Sequence, residues 1–487
     1  MMGLEILVLV LYGLCLAFIL GFSLTQWQLT RLATQARQQP QAPPPAPAEW
    51  PRVTVQLPVY NELNVVERVI DAAAALDYPP DRLHIQVLDD STDESVALAA
   101  ARVAQHQAQG LRISHVRRPS RQGYKAGALR HGLDETDGEF IAIFDADFVP
   151  DPDFLRRTLP YFDSPEVGVV QTRWGHLNET DSLLTRLQAF ALNAHFLVEQ
   201  SGRSQGGHFI NFNGTGGVWR RTCIADAGGW HTDTLTEDLD LSYRAQLRNW
   251  QFVYLPQVVT PAELPEQMDA LKSQQYRWTK GAAETARKHL GRVLRDPQVP
   301  AATKRHAVFH LLNSTVFVAI LLMTLLSVPL VVLQSVARLR PAFQFASVFM
   351  LGFAPLMVYY HASWRWSGGR RGAPLGFVAQ FLLFLSVSMG LALHNTGAVL
   401  SGLAGQASEF VRTPKLGRGI RGRIRRRYRT GGLGWLTLCE ALLCLYALGG
   451  IGLALRTGNY GLVPFHALVA TGYGAIVWYS VLHARRA

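Results

Sequence analysis

Cysteine is scarce in this chain. Cys15, Cys223, Cys439 and Cys444 are the only four, and none stand at metal-ligand spacing, which excludes a cysteine-held metal centre. Three of them fall in long apolar runs and read as buried structural thiols. The first apolar run, residues 4–24, lacks the basic start and small-residue cleavage site of a secretory signal. It is long enough to cross roughly 30 Å of hydrocarbon and reads as a retained anchor. Acidic residues are missing from 411–430, where nine Lys or Arg residues collect directly before another apolar run. The formal net charge of +11 therefore points to anionic lipid at a membrane surface, not to nucleic acid, since no nucleic-acid recognition fold accompanies it.

What is present is unevenly distributed. The length of 487 residues predicts two or three structural units. Residues 307–336, 343–363, 376–403, 433–455 and 462–482 are strongly apolar, so the chain reads as a multi-pass integral membrane protein. Its segments are an N-terminal span (1–25), a Pro-rich spacer (26–51), a catalytic region (52–300), a membrane hairpin (301–364), an interfacial or re-entrant helix (375–405), a basic loop segment (406–430) and a second hairpin (431–487). The basic residues place 25–305 in the cytoplasm of a plasma or inner membrane, which leaves the sequons at Asn178, Asn213 and Asn313 unused. Treating 376–403 as interfacial resolves a parity conflict that would otherwise put the basic cluster outside; Gly390, His394 and Asn395 suit that reading.

Within 52–300, short apolar strands alternate with helical patterns, and polar residues follow the strands. This predicts an α/β domain with a mostly parallel sheet that binds its ligand along the carboxyl edge. Asp145-Ala146-Asp147 follows the strand ending at Phe144 and offers two hard oxygen ligands to Mg²⁺ or Mn²⁺; an isolated pair of this kind is otherwise a capped turn. Asp89 and Asp90 end an earlier strand, where an acid can accept from a nucleobase or ribose, while Thr92 and Asp93 suit a helix start. Lys125 pairs with a nucleotide or with one of the acids. Thr236-Glu237-Asp238, beyond the Gly-rich residues 213–217, supplies a carboxylate for general-base work or acids that stabilise a helix start. In residues 274–278, Gln274, Arg277 and Trp278 share a helix face; the Arg suits a diphosphate and the Trp a sugar ring, unless the segment is an interfacial amphipathic helix. Two carboxylates also suit a glycosidase, which needs neither the cation pair nor the spans.

In this order the motifs resemble those of processive inverting glycosyltransferases of family two. Residues 86–93 (QVLDDSTD), 123–129 (GYKAGAL), 143–148 (IFDADF), 212–215 (FNGT) and 227–230 (AGGW) are most similar to the cellulose-synthase-like A and C proteins, which make β-1,4-mannan, glucomannan or β-1,4-glucan. The similarity runs from about residue 53 to 417. It implies a GT-A catalytic domain inserted between transmembrane helices, with Asp89 near the base and Asp145 and Asp147 at the metal and diphosphate. Asp238 would be the base, Gln274 and Arg277 would hold the diphosphate, and Trp278 would stack on the acceptor. Residues 410–415 resemble the gating loop of cellulose synthases, with Phe410, Thr413 and Lys415 at matching positions and Arg412 and Pro414 as departures. A cyclic-dinucleotide module is not expected.

The expectation is a membrane-embedded hexosyltransferase that polymerises from GDP-mannose or UDP-glucose onto a polysaccharide acceptor, mannan or glucomannan favoured, and passes the product between its spans. A homo-oligomer or an accessory export partner would complete a narrow pore. The alternatives are transfer of one sugar to a lipid carrier and an inactive scaffold that binds sugar nucleotide or polysaccharide.

Overall fold

The computed structural model describes residues 2–39, 42–336, 339, 343, 351–369, 374–413, 415, 417 and 434–486. Seven strands form one sheet: β1 (Val53–Val59), β2 (Leu83–Asp89), β3 (Ile113–Val116), β4 (Phe140–Ile143), β5 (Val167–His176), β6 (Gly217–Arg220) and β7 (Gln251–Ala262). Their order is β3-β2-β1-β4-β6-β5-β7. All neighbours are parallel except β6, which runs antiparallel between β4 and β5. Both faces are covered, as the alternation in β4 makes plain. Phe140 and Ala142 pack with Val53, Val55 and Leu57 on one side, while Ile141 and Ile143 pack with Trp219 and Trp230 on the other. The chain leaves β1 towards opposite neighbours, β2 on one side and β4 on the other, so a crevice opens at their carboxyl ends. Tyr60, Asp90, Asp145 and Asp147 all stand at that edge.

The N-terminal helix, Met2–Gln38, is longer than the span expected within 1–25. Residues 26–38, expected as spacer, continue it because the first proline comes only at Pro40. Leu29 and Ala33, four residues apart, are fully buried. Gly202 lies so close that an added Cβ would stand 2.3 Å from the Leu29 carbonyl oxygen. The helix is thus both a membrane span and a strut against the catalytic domain.

A second long helix, Met268–Arg295, carries Gln274, Arg277 and Trp278. Met268 and Leu271 on it pack with Val387, Leu391 and Ile476 of the C-terminal helices, and Lys272 Nζ lies 2.8 Å from Glu440 Oε2. Among the described residues, four helices are long and apolar enough to cross a membrane: Gly3–Gln38, Asn313–Leu333, Trp435–Thr457 and Tyr460–Ala484. The segment expected to be interfacial forms two helices, Pro374–Gly390 and Ala392–Leu403, bent by 51°, the shape of a broken span or a re-entrant loop. The expected span at 343–363 is described only from its later part, in helix Phe353–Trp366, and the basic cluster beyond 417 lies outside the described residues.

The first of these two helices crosses helix Val463–Arg486 at backbone contact. A Cβ on Gly472 would stand 1.9 Å from Ser386 O, and one on Gly390 2.5 Å from Gly472 O. Gly472→Ala is expected to push these helices apart and to cost about 1–3 kcal/mol, read as a lower unfolding midpoint of the detergent-solubilised protein. An unchanged midpoint would show that the crossing is not tightly packed.

Candidate active site

All the candidate site residues except Asp89 line one cleft at the sheet edge. Asp145 and Asp147 stand side by side in it after β4. Each faces an ammonium group: Lys125 Nζ lies 2.5 Å from Asp145 Oδ1, and Lys415 Nζ lies 2.8 Å from Asp147 Oδ2. Lys125 also donates to the carbonyl of Gly214 at 2.9 Å. Burial opposes its charge, but Asp145, Glu237 and Asp238 outweigh that and raise its pKa.

Asp89 is turned away from the cleft. One carboxylate oxygen accepts from the Ser91 N–H at 2.8 Å and the other faces His115 Nε2 at 2.7 Å. Burial works against its charge, yet these hydrogen bonds hold its pKa below the usual value. The next residue takes the place expected of it, because consecutive side chains at a strand end face opposite ways. Asp90 lines the cleft and is clamped by Arg118 through Nε at 2.7 Å and Nη2 at 2.6 Å. Beside it Arg121 lies flat on the Tyr60 ring, 3.5 Å from its centroid, and 4.8 Å from that of Tyr124.

Glu237 and Asp238 open helix Glu237–Gln246, so both readings of the motif hold at once: they occupy a helix start and they face the cleft. Burial, reinforced by neighbouring Glu237 and opposed by Lys125, pushes the Asp238 carboxyl up to about 7. Burial also raises Glu237. Trp278 tilts at 51° to Trp174, with ring centroids 6.4 Å apart, and the two form an apolar wall beside the acids.

The segment around 410 crosses the cleft. Phe410 stacks on Tyr124 at 5.9 Å, and the Arg277 guanidinium lies 4.4 Å from the centre of the same Phe410 ring. Arg277 Nη2 donates to Thr413 Oγ1 at 3.1 Å. Arg412, a departure from the gating-loop pattern, pairs with Glu62 at 2.7 Å, and Asn64 Nδ2 donates to the Lys415 carbonyl at 2.9 Å. Burial raises Glu62 to about 7 despite Arg412 and Lys415. Pro414 lies outside the described residues.

The family profile described as "Glycosyltransferase like family 2" matches residues 51–281. Glucomannan 4-beta-mannosyltransferase 1 of Oryza sativa subsp. japonica is 37% identical over 385 residues, covering 76% of this chain and 70% of that protein. The chain belongs to glycosyltransferase family 2. Glucomannan 4-beta-mannosyltransferase 2 of Arabidopsis thaliana is 38% identical over 389 residues, covering 76% and 69% of the two chains. Among solved structures, the mannosyltransferase PcManGT from Pyrobaculum calidifontis in complex with GDP-Man and Mn²⁺ superposes with a TM-score of 0.51 at 21% identity, covering 72% of this chain and 97% of that one. The fold is GT-A, and the protein is a glycosyltransferase.

For such an enzyme the cleft offers a cation pair at one end, a buried carboxylate poised near neutrality, and an aromatic wall. Tyr60, Arg121 and Trp174 also line this cleft, and the signal for them in the sequence is only their nearness to the ends of β1 and β5 and to the 123–129 motif. A separate group, His231, Asp233 and Asp240, has ligand atoms within 4.8 Å of one another. Lys288 Nζ already sits 2.8 Å from both Asp233 and Asp240, and His289 binds Asp240, so an ammonium fills that position.

The raised pKa gives a signed expectation. With Asp238 in the base role expected from the sequence, which needs its deprotonated form, transfer should climb as pH rises through about 7 and level off above it. The check is kcat/KM against pH under saturating metal; a profile flat from about pH 5.5 to 8.5 would contradict it.

Proposed function

We propose that this enzyme builds a β-1,4-linked mannan or glucomannan from GDP-mannose. The observation that carries this reading is that Asp238, the Asp145–Asp147 pair and Trp278 face one cleft beneath the Phe410–Lys415 segment. The donor choice is supported by the 4-beta-mannosyltransferase names of its relatives and by the GDP-Man bound to the similar mannosyltransferase. UDP-glucose is the competing donor.

Asp238 takes the proton from the acceptor 4-hydroxyl as that oxygen attacks the anomeric carbon of the donor, inverting it. Burial, reinforced by the charge of Glu237 beside it, raises the Asp238 pKa to about 7, so its carboxylate is basic enough to accept the proton. Arg277 and Gln274 bind the diphosphate from the long helix, and Lys125 adds charge from the opposite side. Asp90, Tyr60 and Arg121 form the end that receives the base. Asp145 and Asp147 fit a divalent ion in donor type, being hard carboxylate oxygens on one cleft; Lys125 and Lys415 pair with them in this structure and would turn to the diphosphate when the ion is bound. When bound, Mg²⁺ or Mn²⁺ there supplies charge neutralisation for the departing diphosphate. Trp278 and Trp174 form a platform for the sugar rings of a chain that stays bound between additions. The catalytic domain faces the cytoplasm, and the product leaves between the membrane helices.

Purified protein supplied with radiolabelled GDP-mannose and UDP-glucose side by side tests this. Ethanol-insoluble label from GDP-mannose is expected. Lipid-extractable label would indicate a carrier enzyme, and nucleotide binding without turnover a scaffold. Asp238→Asn should keep donor binding and lose about 10²- to 10⁴-fold in transfer. Retained transfer would remove Asp238 from its role.

A further inference from the structure

After helix Leu183–Ala194 the chain widens into one π-helical turn, His195–Gln200, before α-helix resumes at Ser201. Such turns are rare and concentrate where a site requires them. In an α-helix, residues five apart are rotated by about 140°, whereas i→i+5 bonding brings them nearly into line. The two residues aligned here, His195 and Gln200, grip the same loop. Gln200 Nε2 donates to the Asn211 carbonyl at 2.8 Å, and His195 Nε2 lies 3.0 Å from Asn213 Oδ1.

The orientation of the Asn213 amide is set by its neighbour. Asn211 Nδ2 donates to Asn213 Oδ1 at 2.8 Å, and Asn213 Nδ2 donates to the Asn211 carbonyl at 3.3 Å. Oδ1 therefore faces His195, and Nε2 is the donor. The other ring nitrogen, Nδ1, lies 3.1 Å from Glu199 Oε2, and Arg203 binds the second oxygen of Glu199. Glu199 is 5% and Arg203 1% exposed. A buried ion pair is expensive to desolvate and contributes little net stability, so its place behind His195 calls for a positional reason.

That reason lies on the loop. Gly214 follows Asn213 with φ at +80°, and its carbonyl receives the Lys125 ammonium. A Cβ on it would stand 3.1 Å from Asp238 Oδ2. Thr215 Oγ1 accepts the backbone N–H of Asp145 at 2.9 Å. The loop thus touches the cation, the metal-binding acid and the base, and a shift of about 1 Å in its path would misalign all three.

We propose that His195, oriented by Glu199, is a positioning residue for glycosyl transfer. It fixes the Asn213 amide, and through it the Gly214 carbonyl, without touching the nucleotide. This rests on the assignment of Asp238 as base.

Two substitutions separate the ring's two bonds. His195→Gln keeps a donor near Nε2, facing Asn213; His195→Asn keeps one near Nδ1, facing Glu199, and loses Asn213. Expected is a loss of kcat by about 10- to 100-fold in His195→Asn, mostly restored in His195→Gln. GDP affinity, measured calorimetrically, and the unfolding midpoint should stay at wild-type values in both. Asn213→Ala should match the loss, and combining it with His195→Asn should add nothing further. The proposal is overturned if His195→Asn transfers as well as His195→Gln, if GDP affinity or the midpoint falls in step with activity, or if the two losses multiply. Asp238→Asn run alongside distinguishes the levels. If it loses transfer while His195→Asn does not, only this inference fails; if it keeps transfer, the base assignment fails and this inference with it.

Discussion

The crowding of carboxylates into one partly buried cleft, Asp145, Asp147, Glu237 and Asp238 foremost, is the constraint to which the rest of the protein answers. Asp145, Asp147, Glu237 and Asp238 come from two places in the sheet topology, and a low-dielectric site tolerates them only when cations stand against them. Those cations arrive from three separate elements. Lys125 comes from the helix after β3, Arg277 from the long helix that meets the membrane part, and Lys415 from the segment that crosses the cleft. Charge compensation therefore ties the sheet, the helix Met268–Arg295 and the crossing segment into one unit.

The same crowding sets up the chemistry. Repulsion from Glu237 and loss of water raise Asp238 towards neutrality, the range in which a base can both accept and release a proton. Lys125 and Lys415 stand against Asp145 and Asp147, so the charge of these two acids is compensated within the fold. The crossing segment is held by contacts to every wall: Phe410 to Tyr124, Thr413 to Arg277, Arg412 to Glu62 and the Lys415 carbonyl to Asn64.

The helix Met268–Arg295 joins catalysis to the membrane part. Its cleft side carries Gln274, Arg277 and Trp278, while Lys272 pairs with Glu440 of a membrane-length helix and its carbonyl faces His394 Nε2 at 2.9 Å. Gly402 packs where a Cβ would stand 2.7 Å from the Lys280 carbonyl. Close backbone approach and a buried pair on one helix make the orientation of Arg277 and Trp278 depend on the bundle beneath them.

Local chemistry was legible in the sequence. The short apolar strands, the acids that follow them and the apolar lengths of the spans are written in neighbouring residues, so the mostly parallel sheet, its ligand-binding edge, the Asp145–Asp147 pair and the helical face of Gln274, Arg277 and Trp278 could be read directly. What depends on packing between distant segments could not. Whether Asp89 or Asp90 faces the cleft turns on His115, which lies on another strand. Residues 26–38 are helix because Leu29 and Ala33 find a buried surface around Gly202. The pairing of Lys415 with Asp147 spans the whole membrane hairpin in sequence, and the π turn that aligns His195 with Gln200 serves a loop more than ten residues on. Sequence determined which groups exist and where the strands of the sheet run, because those follow from backbone sterics and short apolar runs; tertiary structure decided how far the first helix extends and which charge meets which, because a buried face or charge takes whatever partner the fold brings within reach.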